Sequence, residues 1–259
     1  MDVEHIIGLI VIIYWSIVGT VFGSFLGVVI DRLPHGKSII WGRSHCDTCK
    51  RSLRWFELIP IFSFVIQRGR CLMCRSKLSW RYPVYELVTG ILFAGLWYLV
   101  GPSLLLFFST VIICCSLFVI FVIDLDHMII PDVLIVTTSI GALSYHLLYN
   151  QSIIQFIQNN IVTGVISYIL FYLLWAGTKR KGIGFGDVKL SFALGLLVGF
   201  PRIIISLYGA FLTGAAIGII LLLYGKKTMK SAVPFGPFLI FGALLSFLVN
   251  AQQVLSYFI

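Results

Sequence analysis

Apolar residues in this chain neither alternate nor recur in a helical stripe. They come in long unbroken runs separated by short polar stretches. A helix needs about 20 apolar residues to cross the hydrocarbon of a bilayer. By that measure the sequence predicts eight crossings, over roughly 6–30, 84–100, 103–123, 133–149, 158–176, 188–200, 203–224 and 234–250. The sixth is short and the eighth contains Pro237, which leaves six or seven full crossings as the alternative. One long polar segment, 31–81, separates the first crossing from the second. The pattern therefore predicts an all-α polytopic membrane protein: a first transmembrane helix in 1–30, an inserted segment in 31–81 and a transmembrane bundle in 82–259. The stretch from Asn150 to Asn160 reads as a short outer loop, amphipathic at best, and no internal repeat stands out.

Composition agrees with lipid as the main solvent. Of 259 residues 59% are hydrophobic and only 11% charged, where a soluble domain carries about 25% charged residues. Mean hydropathy is +1.02. A formal charge of +9 would suit a nucleic-acid partner, but the basic residues fall between apolar runs, where they set membrane topology instead. No nucleic-acid partner is expected. With the amino terminus outside, eight crossings put 18 of the 19 Lys and Arg on inner segments: 11 in 32–81, 4 in 179–189 and 3 in 226–230. Arg202 alone falls outside. Basic residues favour the cytoplasmic side, so both termini are expected outside, in a multi-pass protein of the cell membrane. No cleavable signal peptide is expected, because the first run exceeds an h-region of about 7–15 residues and only acids, Asp2 and Glu4, precede it. Small residues such as Gly195, Gly199, Gly214, Ala215 and Gly218 read as ordinary bundle packing.

The inner segment holds two C-x-x-C pairs, His45-Cys-Asp-Thr-Cys-Lys50 and Arg70-Cys-Leu-Met-Cys-Arg75, with 21 residues between Cys49 and Cys71. Each pair can fold into a tight turn that offers two thiolates, and two turns complete a tetrahedral site for structural zinc at Cys46, Cys49, Cys71 and Cys74. The segment has too few apolar residues for a sizeable core, so the metal would supply folding energy. Two disulfides are the alternative, disfavoured in the cytoplasm; free thiols or a redox pair are another. His45 reads as a solvated neighbour, and Cys114 and Cys115 as small hydrophobes inside the third crossing.

Two aspartates carry the candidate chemistry. Asp187 follows Gly182, Gly184 and Gly186, just where the sixth run begins. A helix cap would need one turn residue; alternating glycines suggest an edge on which an extended chain can dock. Asp124 ends the third run, where a negative charge opposes the helix dipole and no N-cap duty exists. Both residues fall at the same depth on the cytoplasmic side. Asp132, after Pro131, reads as a cap of the fourth crossing, and Asp126 and His127 as residues of a wet turn. Two close carboxylates in a partly dry site share a proton. One can then activate water while the other polarises a peptide carbonyl, giving hydrolysis without a covalent intermediate. An ion- or proton-coupled transporter is the rival use of paired acids, although transport sites usually lie near the midplane.

These residues, with Gly23-Ser-Phe-Leu-Gly-Val-Val-Ile-Asp-Arg-Leu-Pro34, Arg68-Gly-Arg-Cys71, Ser79-Trp-Arg-Tyr-Pro-Val-Tyr-Glu86, Ile130-Pro-Asp132 and Val233-Pro-Phe-Gly-Pro-Phe238, resemble the type IV prepilin peptidases, a GxGD group of aspartic proteases. The resemblance covers nearly the full length. It implies cleavage of a basic leader from prepilins or pseudopilins at the cytoplasmic membrane face, with Asp124 and Asp187 as the catalytic pair. It also implies N-methylation of the new terminus with S-adenosylmethionine, for which the residues carry no signature of their own. The first cysteine pair, Cys-Asp-Thr-Cys, departs from the usual Cys-Pro form, and Gly27 and Asp31 stand where Asn and Tyr are common. A basic leader beside a basic enzyme suggests that the leader binds anionic headgroups, with Asp31, Asp47, Glu57 and Glu86 adding contacts.

Overall fold

A computed structural model describes residues 3–149, 152–180, 182–225 and 233–249. Lys181 and the basic residues Lys226, Lys227 and Lys230 lie outside the described residues, as do Asp2 and Asn150. Every apolar run becomes helix. The helices are α1 (Val3–Arg32), the one-turn α2 (Phe62–Ile66), α3 (Arg81–Val100), α4 (Leu104–His127), α5 (Asp132–Leu148), α6 (Ile153–Phe156), α7 (Val162–Gly177), α8 (Phe185–Val198), α9 (Arg202–Leu223) and α10 (Gly236–Leu248). No strand longer than an isolated bridge pair occurs among the described residues.

Eight apolar helices thus stand on the eight predicted runs, but they differ in length. Five are long and apolar enough to cross a membrane: His5–His35, Arg81–Val100, Leu104–His127, Ile153–Gly177 and Arg202–Leu223. At 14 residues α8 reaches only about 21 Å. Its neighbours account for this: α8 packs against α5, α7, α9 and α10, and Asp187, Val188, Leu190, Ser191, Ala193 and Leu194 are all buried. A helix apolar all round and enclosed by others need not match the bilayer. Pro237 does not interrupt α10. It stands in the first turn, where its missing N–H is not needed.

The outer loop expected from Asn150 to Asn160 is helical from Ile153 onward. Ser152 caps it by accepting from the Gln155 N–H at 3.2 Å. A π-helical turn, Ile157–Ile161, then joins α6 to α7. Its Asn160 is buried and donates from Nδ2 to the Leu196 carbonyl at 2.9 Å. Asn160 is therefore satisfied inside protein, while Ser152, Gln155, Gln158 and Asn159 stay exposed.

The chain divides into two compact units, Met1–Phe107 and Phe108–Ile259, with the boundary inside α4. In the first unit α1 and α3 pack closely. A side chain at Gly23 would fall within 2.7 Å of the Glu86 Cα, so only glycine allows this approach. The inserted segment belongs to the same unit. The acids in and beside it are occupied by neighbours: Glu57 by Arg51, Asp31 by the Tyr82 hydroxyl, and Glu86 of α3 by the Ile61 N–H. Asp47 remains exposed. In the second unit Phe171, Val188, Leu190 and Leu239 form the fully buried centre. Small residues act as expected at Gly195, whose added Cβ would meet the Gly164 Cα at 2.7 Å; at Gly218 nothing lies within 4 Å.

Candidate active site

Asp124 stands in the last turn of α4 and is only 4% exposed. Just beyond, Met128 adopts a left-handed conformation (φ 56°), and its N–H donates to the Asp124 carbonyl, closing the helix. The Asp124 side chain leaves its own helix for another. Its Oδ2 accepts from the N–H of Gly236, the first residue of α10, at 3.0 Å. The carboxylate that opposes the dipole of α4 therefore sits on the favourable, positive end of α10. A Cβ on residue 236 would come within 2.7 Å of that oxygen.

Asp187 occupies the first turn of α8 and is 6% exposed. Its Oδ2 accepts from the Gly184 N–H at 3.2 Å and so caps the start of its own helix. The cap reading is thus half right. Oδ1 is buried and has no partner among the described residues. Buried polar atoms are rarely left so, and a carboxylate oxygen without a protein partner is suited to hold a water. The two carboxylates sit at the starts of α8 and α10, helices that pack against each other. Ile130, buried in the connection from α4 to α5, joins the two helix starts: its side chain touches both Gly186 and Gly236.

The three glycines have different neighbours. Gly182 lies against the Thr178 side chain, Gly184 supplies the N–H to Asp187, and Gly186 abuts Ile130. Asp132 does not cap α5. It takes both its oxygens to Lys189 Nζ, at 2.7 and 2.8 Å, and so fastens the start of α5 to the first turns of α8. Asp126 and His127 are exposed, but they form the last turn of α4 and not the separate polar turn expected. An apolar cavity of about 810 Å³, lined in part by Lys189, Phe192 and Leu196, opens on α8. At about 100° per residue these three lie on the side opposite Asp187, so this cavity is not the carboxylate site.

In the first unit the four cysteines converge. Their Sγ atoms all lie within 4.8 Å of one another, and no disulfide joins them. Cys46 and Cys74 Sγ are 3.8 Å apart, close to the edge of a tetrahedron with Zn–S bonds of about 2.3 Å. One turn geometry is used twice. Cys46 N–H donates to Arg51 O and Cys71 N–H to Ser76 O, both at 2.9 Å. Lys50 and Arg75 take left-handed conformations at equivalent positions, and bridges His45–Ser52 and Arg70–Lys77 close each turn.

Backbone donors point at the sulfurs. The Cys49 N–H, then the Ser76 hydroxyl, pull the Cys46 thiol down to about 6. The Cys74 and Met73 N–H groups lower Cys71. At Cys49 the Arg51 N–H also acts to lower the pKa, but burial and the neighbouring sulfurs outweigh it and push the thiol up to about 11. Four thiolates this close would need a cation to balance them, and a tetrahedral divalent metal fits this donor set. His45 is exposed and outside the group.

Nearby, Arg51, Arg54, Phe56, Glu57, Leu72 and Met73 line a cavity of about 290 Å³. Both Glu57 oxygens are already taken, by Arg51 and by the Arg54 N–H.

Sequence reasoning gave Gly236 and Ile130 no role, because one acts through a backbone N–H and the other through packing. The comparisons with known proteins cover both units. The bacterial peptidase A24 N-terminal domain matches residues 17–100, and the type IV leader peptidase family matches residues 111–219. The chain is 32% identical over 245 residues to the prepilin leader peptidase/N-methyltransferase of Bacillus subtilis (strain 168), covering 94% of this chain and 96% of the relative. A protein of the same name from Legionella pneumophila is 33% identical, with 86% of each chain covered. The type 4 prepilin-like proteins leader peptide-processing enzyme of Escherichia coli O78:H11 is also 33% identical, with 90% and 92% covered. No solved structure matches.

Proposed function

This chain belongs to the type IV leader peptidase family, a family of proteases, and we propose that it is a membrane aspartic endopeptidase that removes leaders from type IV prepilins or pseudopilins at the cytoplasmic face. Asp124 and Asp187 are its catalytic pair. The observation that carries this reading is the pair of buried carboxylates, each held through one oxygen by a helix-start N–H, with Asp187 Oδ1 left unpartnered. In this reading a water sits between them. The ionised carboxylate takes a proton from it as the water oxygen attacks the peptide carbon. The protonated carboxyl donates to the carbonyl oxygen. As the tetrahedral intermediate collapses, a carboxyl returns a proton to the departing amine. The extended leader lies against the exposed backbone that precedes α8, at Gly182 and Gly184, and not at Gly186, which the first turn of α8 takes up against Ile130.

Membrane orientation rests on charge: 18 of 19 basic residues fall on the side that also holds both aspartates. A transporter fits less well, because the carboxylates stand at helix ends rather than at mid-span. The cysteine cluster takes a structural zinc ion. Methyl transfer from S-adenosylmethionine to the new terminus is a second activity, supported by the names of the relatives.

Co-expression with a prepilin tests the proposal. The intact chain should shift the prepilin to its mature mobility. Asp124→Asn and Asp187→Asn should each leave it unprocessed at normal enzyme levels. Normal processing by either variant removes that residue from the mechanism. Mass spectrometry of the mature terminus then reads methylation directly.

A further inference from the structure

Between the two cysteine pairs runs Leu58-Ile-Pro-Ile-Phe-Ser-Phe-Val-Ile66, in which Ser63 is the single polar residue. Such a stretch would be expected to form the core of the inserted segment. Instead most of it faces outward. Phe62 is 70% exposed, Val65 66% and Ile66 77%, and at i, i+3 and i+4 they share one face of α2. Phe64 is partly covered, against Trp80, with ring centroids 4.6 Å apart, and Pro60, Ile61 and Ser63 are also half-buried. Contiguous apolar surface of this kind marks an interaction site.

The fold fixes the depth of this surface. The Ile61 N–H donates to Glu86 Oε2 at 2.7 Å, and Glu86 is buried in the second turn of α3. To make that bond, the chain takes a γ-turn. Phe62 N–H returns to the Pro60 carbonyl, and Ile61 sits at φ 60°, ψ −52°, a strained conformation for a β-branched residue. Glu86 lies about 7.5 Å along α3 from its first residue. The loop is thus held beside the wall of a helix long enough to span a bilayer, below its end. Exposed Arg54, Arg68 and Arg70 flank the apolar stretch, and Trp55 and Trp80 are exposed beside it.

We propose that 58–66 is a membrane anchor. It lies in the leaflet at the start of α3, with Phe62, Val65 and Ile66 among the acyl chains. Trp55 and Trp80 sit at headgroup level, where Trp side chains concentrate, and Arg54, Arg68 and Arg70 rest on anionic headgroups. An interfacial segment typically reaches about 5–10 Å into that boundary, which matches the position of Glu86. The cysteine cluster is then carried on the bilayer surface rather than on a free-standing domain. This does not depend on the reaction the chain catalyses.

Photo-crosslinking tests it. The full-length chain is reconstituted in vesicles of phosphatidylglycerol and phosphatidylethanolamine, with p-benzoylphenylalanine at Phe62, at Ile66 or at Asp47, an exposed acidic position in the first cysteine turn. All three side chains are exposed, which leaves room for the aromatic probe. After illumination, phospholipid adducts should form at 62 and 66 roughly tenfold more than at 47. Equal lipid yields at the three positions, or adducts at 62 and 66 only to protein, would overturn the anchor.

Discussion

Asp187 gives its two oxygens different surroundings. Oδ2 caps α8, and Oδ1 is buried without a partner. Asparagine can still accept a hydrogen bond at a cap, so Asp187→Asn should fold normally while prepilin cleavage falls at least about 10³-fold, in the range for loss of general acid–base catalysis. Asp124→Asn likewise keeps an acceptor for the Gly236 N–H. A Cβ at residue 236 would press within 2.7 Å of Asp124 Oδ2. We expect Gly236→Ala to stay folded but lose about 10²-fold in cleavage rate through misplacement of the carboxylate, measured on purified prepilin. The aspartates were legible in the sequence because a charge at the edge of an apolar run stands out. Gly236 was not, because a backbone N–H has no side-chain signature. Asp132 was misread as a cap because the same residue type serves caps and ion pairs.

At the scale of elements, ends matter more than middles. The start of α8 carries Asp187, that of α10 holds Asp124, and that of α5 is tied to α8 through Asp132 and Lys189. The last pair is exposed, so Asp132→Asn should cost under about 1 kcal/mol in thermal unfolding. Glu57 is different. Its side chain is buried, and the Arg51 guanidinium holds its carboxyl below the usual carboxylate range. A lowered pKa stabilises the fold above the ordinary Glu value near about 4.3 and is lost as pH falls below it. Glu57→Gln should therefore destabilise the cysteine unit by about 1.5–3 kcal/mol at neutral pH, read by its intrinsic Trp fluorescence, and flatten that part of the acid response. Runs of apolar residues revealed every long helix. Their lengths and the helix at 153–161 were hidden, because whether a polar residue such as Asn160 meets water or protein is decided by neighbours remote in sequence.

At the scale of the whole molecule, the proposed orientation rests on the basic residues, and the proposed zinc ion on the two paired cysteine turns. Purified protein should contain about one zinc ion per chain, lost when Cys46→Ser and Cys71→Ser are combined. The central claim is that Asp124 and Asp187 act on one water. Its most direct test compares prepilin cleavage rates for the intact chain, each Asp→Asn variant and the double variant. Groups that work as a unit are strongly non-additive, so each single change should remove nearly all activity and the double change no more. Losses that multiply in the double variant, or a single variant that cleaves at the normal rate, would contradict the account.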